Sequence, residues 1–285
     1  MVQDQILSVC SGIGGLDLGL SAGLRAVGRS PRTVCMVERE AFPVAVLAHQ
    51  MQAGRMDECP LWLGDLRDLP LEELPAIDWI TGGYPCQPFS SAGKQLGEDD
   101  PRHLWPVIFD IVRTLRPRGV FFENVAGHLR LGLDRVLRDL SESGFRCAFG
   151  LFTAEEVGAP HRRERVFILG LADGDGRGLS ELGERDGEPN EGRPPLRDDA
   201  RRCGSDVADT LSSSSELCRT AGRVGRLGES FSGDRIRAWN AEPDVGRVAD
   251  GIPARVDRLR GIGNAVVPQQ AETAFVTLWR EVARC

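Results

Sequence analysis

Short apolar runs punctuate the first half of the chain, and stretches with helical spacing fill the gaps between them. Residues 5–10 (QILSVC), 32–38 (RTVCMVE), 61–65 (LWLGD), 76–83 (AIDWITGG) and 118–124 (RGVFFEN) read as strands. Helices are expected in the SGIGGLDLGLSAGL run and at 40–50, 103–116 and 130–143, the last closed by Gly144 as a C-terminal cap. Strands alternating with helices in this way predict an α/β fold with a doubly wound, mostly parallel sheet. Two further runs, 145–153 and 163–170, lie so close in sequence that an antiparallel pair is expected. The rhythm then disappears. Residues 171–250 are dense in Gly, Arg, Ser, Asp and Glu, with Phe231 and Trp239 as their aromatics, and 175–235 read as a flexible insert. Periodicity returns at 252–283 as a short helix, a Gly-Asn turn and a final amphipathic helix. Three segments follow: a catalytic and cofactor-binding unit over 1–170, a short variable region over 171–250, and a segment over 251–285 returning to the first unit.

Composition narrows the function classes. With 41% hydrophobic residues in 285, a sizeable core can form. The eight cysteines contain no C-x-x-C pair and no metal-ligand spacing, and the four histidines are scattered, so no metal is expected. No apolar run reaches membrane-spanning length and no signal-peptide pattern is present, which predicts a cytoplasmic protein with reduced cysteines. A net charge of −7 argues against indiscriminate nucleic-acid binding but leaves room for a local basic cleft.

Candidate chemistry gathers at the ends of the expected strands. The Gly-rich turn after the first lets a ligand approach the backbone closely. Glu38, at the end of the second, suits the two hydroxyls of a ribose. Asp65, after the third, could accept from an adenine amino group. These three together predict an adenosine-type cofactor. The fourth strand runs into GGYPCQPFSSAG (82–93), a composition that excludes helix and central strand and sets Cys86 on a loop. The fifth ends in Glu123-Asn124, where an acid behind Phe-Phe is expected to be desolvated and its pKa raised. Arg163 and Arg165, two apart at the start of a strand, face one side and could hold an anion or a carbonyl.

Outside 171–250, nearly the whole chain resembles the DNA cytosine-5 methyltransferases. SGIGG (11–15), Glu38, Gly64-Asp65, GGYPCQPFSSAG, ENV (123–125), the two arginines and GNAVVP (263–268) match that family's motifs in its order. The resemblance implies S-adenosylmethionine as cofactor, contacted by Ser11, Gly12, Ile13, Gly15, Glu38, Asp65, Leu66, Gly83, Pro85, Leu104, Asn264 and Ala265. It implies a flipped-out cytosine as substrate. Cys86 would add to C6, Glu123 would serve N3, Arg165 the O2 carbonyl, and Arg163 would stand near the cysteine or a phosphate. Double-stranded DNA is the implied partner, with a monomer expected and a cognate restriction endonuclease acting separately where the enzyme serves such a system. An RNA cytosine methyltransferase and a nicotinamide-dependent oxidoreductase are the rival readings; the second leaves Cys86, ENV and the arginine pair without a shared purpose. The chain departs from the family at Cys10, where an aromatic is common, and at His161, where glutamine is usual. Selection of the target is expected from 236–250 and from Arg255, Arg258 and Arg260.

Overall fold

Apolar runs too short for helices pair into one sheet because that is how their backbone groups are satisfied. The structure, a computed structural model, describes residues 3–85, 104–130, 132–173, 222–223 and 255–283. Eight strands are hydrogen-bonded in the order β3-β2-β1-β4-β5-β7-β6-β8: β1 (Asp4–Val9), β2 (Pro31–Glu38), β3 (Leu61–Leu63), β4 (Trp79–Gly83), β5 (Gly119–Val125), β6 (Phe145–Phe152), β7 (Arg165–Ala172) and the two-residue β8 (Gly222–Arg223). The first five run parallel. β7 lies antiparallel between β5 and β6, which bears out the expected antiparallel pair. Order reverses between β1 and β4, and this switch point opens a crevice at the carboxyl ends of the strands.

Six α-helices cover the described sheet: α1 (Gly15–Ala26), α2 (Ala41–Gln52), α3 (Trp105–Leu115), α4 (Leu133–Glu142), α5 (Arg255–Asn264) and α6 (Pro268–Val282). A core of Ile80, Val120, Phe122, Ile108 and Leu140 fills the side covered by α3 and α4. On the other side Ile6, Trp79, Phe121, Phe167 and Phe275 pack beneath α1 and α6. α1 and α6 meet along Gly15, Gly19 and Gly23, spaced one helical turn apart. A Cβ there would overlap the Val266 carbonyl, the Pro268 carbonyl and the Phe275 ring in turn. Residues four apart share a helix face, so the three glycines form a groove for the C-terminal helix.

Two boundaries differ from the sequence reading. β3 stops at Leu63, because Asp65 turns its carboxylate back to accept the Arg67 backbone N–H at 3.0 Å and starts a short 3-10 turn. The Gly-Asn turn is absent. α5 runs through Gly263 and Asn264, and the break comes at 265–267, where Pro268 sits in the first turn of α6. The expected insert at 175–235 and the reading segment at 236–250 lie outside the described residues, apart from 222–223.

One buried acid has a measurable cost. Asp17, in the first turn of α1, is 2% exposed beside Ser8. Burial pushes its carboxyl up from 3.8 to about 6, which the Ser8 hydroxyl only partly offsets. A carboxyl raised in the folded state holds its proton there while the unfolded chain releases it, so stability falls as pH rises from about 4 through 6. Asp17→Asn is therefore expected to stabilise the protein by roughly 2–3 kcal/mol at pH 7.5, with the gain shrinking towards zero near pH 4. Urea midpoints at the two pH values check this; equal gains at both would remove charge burial as the cause.

Candidate active site

The carboxyl ends of β1 to β5 and the end of α5 enclose a cavity of about 370 Å³. β1 feeds the first wall. Cys10 and Gly12 both take left-handed backbone, at φ 51° and 54°, and turn the chain into α1. For Cys10 this is a strained conformation that a β-carbon disfavours. Its thiol lines the cavity but is pushed up to about 12 by burial, with Glu38 and Asp65 adding to the effect. It stays a thiol at neutral pH and so cannot act as a nucleophile.

Glu38 organises the cofactor side. One carboxylate oxygen accepts the Gly12 N–H at 2.8 Å. The other accepts the Arg39 and Glu40 N–H groups at 2.8 and 2.9 Å. The acid thus fixes the Gly-rich turn to the exit of β2, with one of its four acceptor sites left over. Asp65 accepts both the backbone and the guanidinium of Arg67, and those contacts hold its carboxyl below the ordinary range.

β4 and β5 build the opposite wall. Gly83 lies across the ladder from Glu123, and a Cβ on it would sit 3.1 Å from a Glu123 carboxylate oxygen. Glu123 is 7% exposed and pairs with the Arg165 guanidinium at 2.9 Å. Burial raises its carboxyl from 4.5 to about 7 against the pull of Arg165 and Arg163. The acid is therefore shared between its two protonation states near neutrality, the condition for general acid–base work.

Tyr84 and Pro85 continue from β4 along the cavity, directly before Cys86, which lies outside the described residues. Asn124 donates its side-chain amide to the Tyr84 carbonyl at 3.2 Å, and the Tyr84 hydroxyl meets His128 Nε2 at 2.9 Å. These contacts, all buried, brace the exit of β4. The sequence reading named neither Tyr84 nor His128. The signal was faint: a polar aromatic inside a motif and a histidine four residues after Asn124.

Of the residues expected at the cofactor, Gly12, Ile13, Glu38, Asp65, Leu66, Gly83, Pro85, Leu104 and Asn264 line the cavity. Three stand behind it. Ser11 braces β1 to β2 through the Val37 carbonyl, Gly15 lies under the Val266 carbonyl, and Ala265 follows the end of α5. Arg165 faces the cavity, whereas Arg163 turns its guanidinium to the Gly263 and Ala265 carbonyls. Arg260, expected at DNA, lines the cavity opposite Glu40 at 3.6 Å. Among the described residues no cluster of His, Cys, Asp and Glu could hold a metal ion. No described helix is long and apolar enough to cross a membrane.

A family model described as C-5 cytosine-specific DNA methylase matches residues 5–216. The chain is 35% identical over 176 residues to the type II methyltransferase M.HgiCII of Herpetosiphon aurantiacus, covering 60% of this chain and 38% of that protein. It is 30% identical over 178 residues to M.NlaX of Neisseria lactamica, covering 60% and 53%. The chain thus spans at most about half the length of these curated relatives. In fold it is similar to a triple mutant of Spodoptera frugiperda DNMT2, with a TM-score of 0.50 and 24% identity over 60% of this chain and 50% of that one.

Proposed function

The chain belongs to the family of C-5 cytosine-specific DNA methylases, and from that premise we propose that it methylates C5 of a cytosine in double-stranded DNA, using S-adenosylmethionine. The observation that carries the proposal is the buried Glu123–Arg165 pair, which faces the same cavity as Glu38 and Asp65 beside the exit of β4 toward Cys86.

The cavity fits the cofactor. An adenosine presents donors, two ribose hydroxyls and an amino group, and the chain presents carboxylates at the ends of β2 and β3. Glu38 would hold the ribose, Asp65 the adenine amino group, and the Gly12–Gly14 turn the remainder. When bound, S-adenosylmethionine supplies an electrophilic methyl group.

The chain's own residues do the rest. The target cytosine must leave the duplex to be reached. Its C5 is a weak nucleophile until the Cys86 thiolate adds to C6 and pushes charge onto C5. Glu123, held near half-protonation, gives its proton to N3 as that charge develops. Arg165 keeps the carboxyl oriented and offers its remaining donors to the O2 carbonyl. Once C5 carries the methyl group, its proton departs to a base, the Cys86–C6 bond breaks with its electron pair returning to the sulfur as thiolate, and N3 gives its added proton back to Glu123, which restores the ring. We further propose a monomer working in the cytoplasm, with any cognate endonuclease acting separately.

Bisulfite sequencing of a plasmid from cells expressing the chain tests the reading. Cytosines protected within one recurrent short sequence are expected. A plasmid with no protected cytosine, from cells holding folded protein, would overturn it.

A further inference from the structure

Arg163 is in an unusual position. Its backbone is left-handed at φ 35°, without being glycine. Its guanidinium does not enter the cavity but donates to the carbonyl of Gly263, at 2.8 Å, and to that of Ala265. Gly263 lies in the last turn of α5 and Ala265 directly follows it, where a helix end leaves acceptors unused and carries the negative end of the helix dipole. A cation there is doubly suited. The contact is also reciprocated. Gln270, fully buried in the first turn of α6, donates one amide group to the carbonyl of Arg163 at 2.9 Å and to that of Phe152 at 2.8 Å. The segment between β6 and β7 and the break between α5 and α6 therefore clasp each other through four hydrogen bonds.

The clasp sits between two walls. On one side, Gly261, Gly263 and Asn264 of α5 line the cavity. On the other, two residues on, Arg165 holds Glu123. We propose that Arg163 is a positioning residue: it caps α5, holds that helix as the wall of the cofactor pocket, and ties the wall to the strand that carries the substrate-facing arginine. It acts on cofactor affinity through α5 rather than by touching the base or a phosphate. The proposal rests on the cavity being the S-adenosylmethionine site.

Calorimetric titration with S-adenosylmethionine, without DNA, reads the effect directly. Arg163→Ala is expected to weaken binding about 10- to 100-fold, the loss of charged hydrogen bonds to a pocket wall. Arg163→Lys, which keeps a cation for the helix end, is expected to recover part of it. Gln270→Leu removes the reciprocal donor from a residue outside the cavity. It should raise KM for the cofactor while kcat at saturation stays within about threefold. Hydrogen exchange over 260–267 in the cofactor-free protein should quicken in both the alanine and leucine variants. Should Arg163→Ala fail to fold, the lysine and leucine variants carry the same test. Unchanged cofactor affinity and unchanged exchange in these variants would overturn the clasp. Wild type that binds no S-adenosylmethionine would instead overturn the reading of the cavity.

Discussion

Replacing Cys86 with alanine is expected to abolish methyl transfer, by on the order of 10⁴-fold or more, and to leave S-adenosylmethionine binding in place. Without a thiolate at C6 the cytosine ring has no way to raise charge at C5, and no other described group in the cavity can substitute. Cys10 is the obvious rival, being a cavity-lining thiol, but burial and two neighbouring acids hold it protonated to about pH 12. The wild-type chain should also form a denaturant-resistant adduct on DNA carrying 5-fluorocytosine, because fluorine cannot leave from C5 as a proton does. Denaturing gels of both proteins on that DNA decide the matter. An adduct retained by Cys86→Ala would place the nucleophile elsewhere.

Arg165→Ala is the second large effect, and it reaches both stability and rate. Glu123 would remain buried without its ion pair and would answer by taking up a proton, which limits the pH-dependent loss to roughly 1.4 kcal/mol at pH 8, one unit above its present value. The sign with pH follows from the carboxyl already standing at about 7 instead of 4.5. A raised carboxyl binds a proton more readily folded than unfolded, so its cost is absent at low pH and complete above the folded pKa. Removing the arginine raises it further. The loss should be greatest near pH 8 and fade toward pH 5, as read from denaturant midpoints. Activity offers a separate check. In wild type, kcat/KM for DNA should decline as pH rises through about 7 and the Glu123 proton is lost. Glu123→Gln should be slow throughout and lack that decline. A Glu123→Gln profile that keeps it would assign the titration to another group.

Most strands were legible because they are short apolar runs, and β2 to β5 are closed by glycine or an acid that also belongs to the site. Glu38, Asp65 and Glu123 could be placed at strand ends by counting alone, although β1 and β4 stand between the first two and Glu123. Helix ends were harder. Gly263-Asn264 has the composition of a turn, yet the Arg163 guanidinium supplies the cap that lets α5 run through it, and a partner a hundred residues away leaves no local trace. The same blindness hid the reciprocal bond from Gln270 and the Tyr84–His128 contact. The three-glycine groove of α1 was in plain view at four-residue spacing, but a glycine-rich helix start beside a cofactor turn invites only the cofactor explanation.

That groove bears on how the chain arrives at its native state. Gly19 packs against Ala271 although about 250 residues separate them, so this contact closes one of the longest loops in the chain and adds to the share of non-local contacts that slows folding. The equilibrium cost of closing so long a loop is only modestly greater than that of a shorter one, since it grows with the logarithm of length. The consequence is kinetic. Without the docked C-terminal segment the sheet would still carry three acids at its strand ends but would lack the α5 wall. Docking of that segment and completion of the cofactor pocket are thereby linked, so S-adenosylmethionine is expected to favour the docked state by mass action.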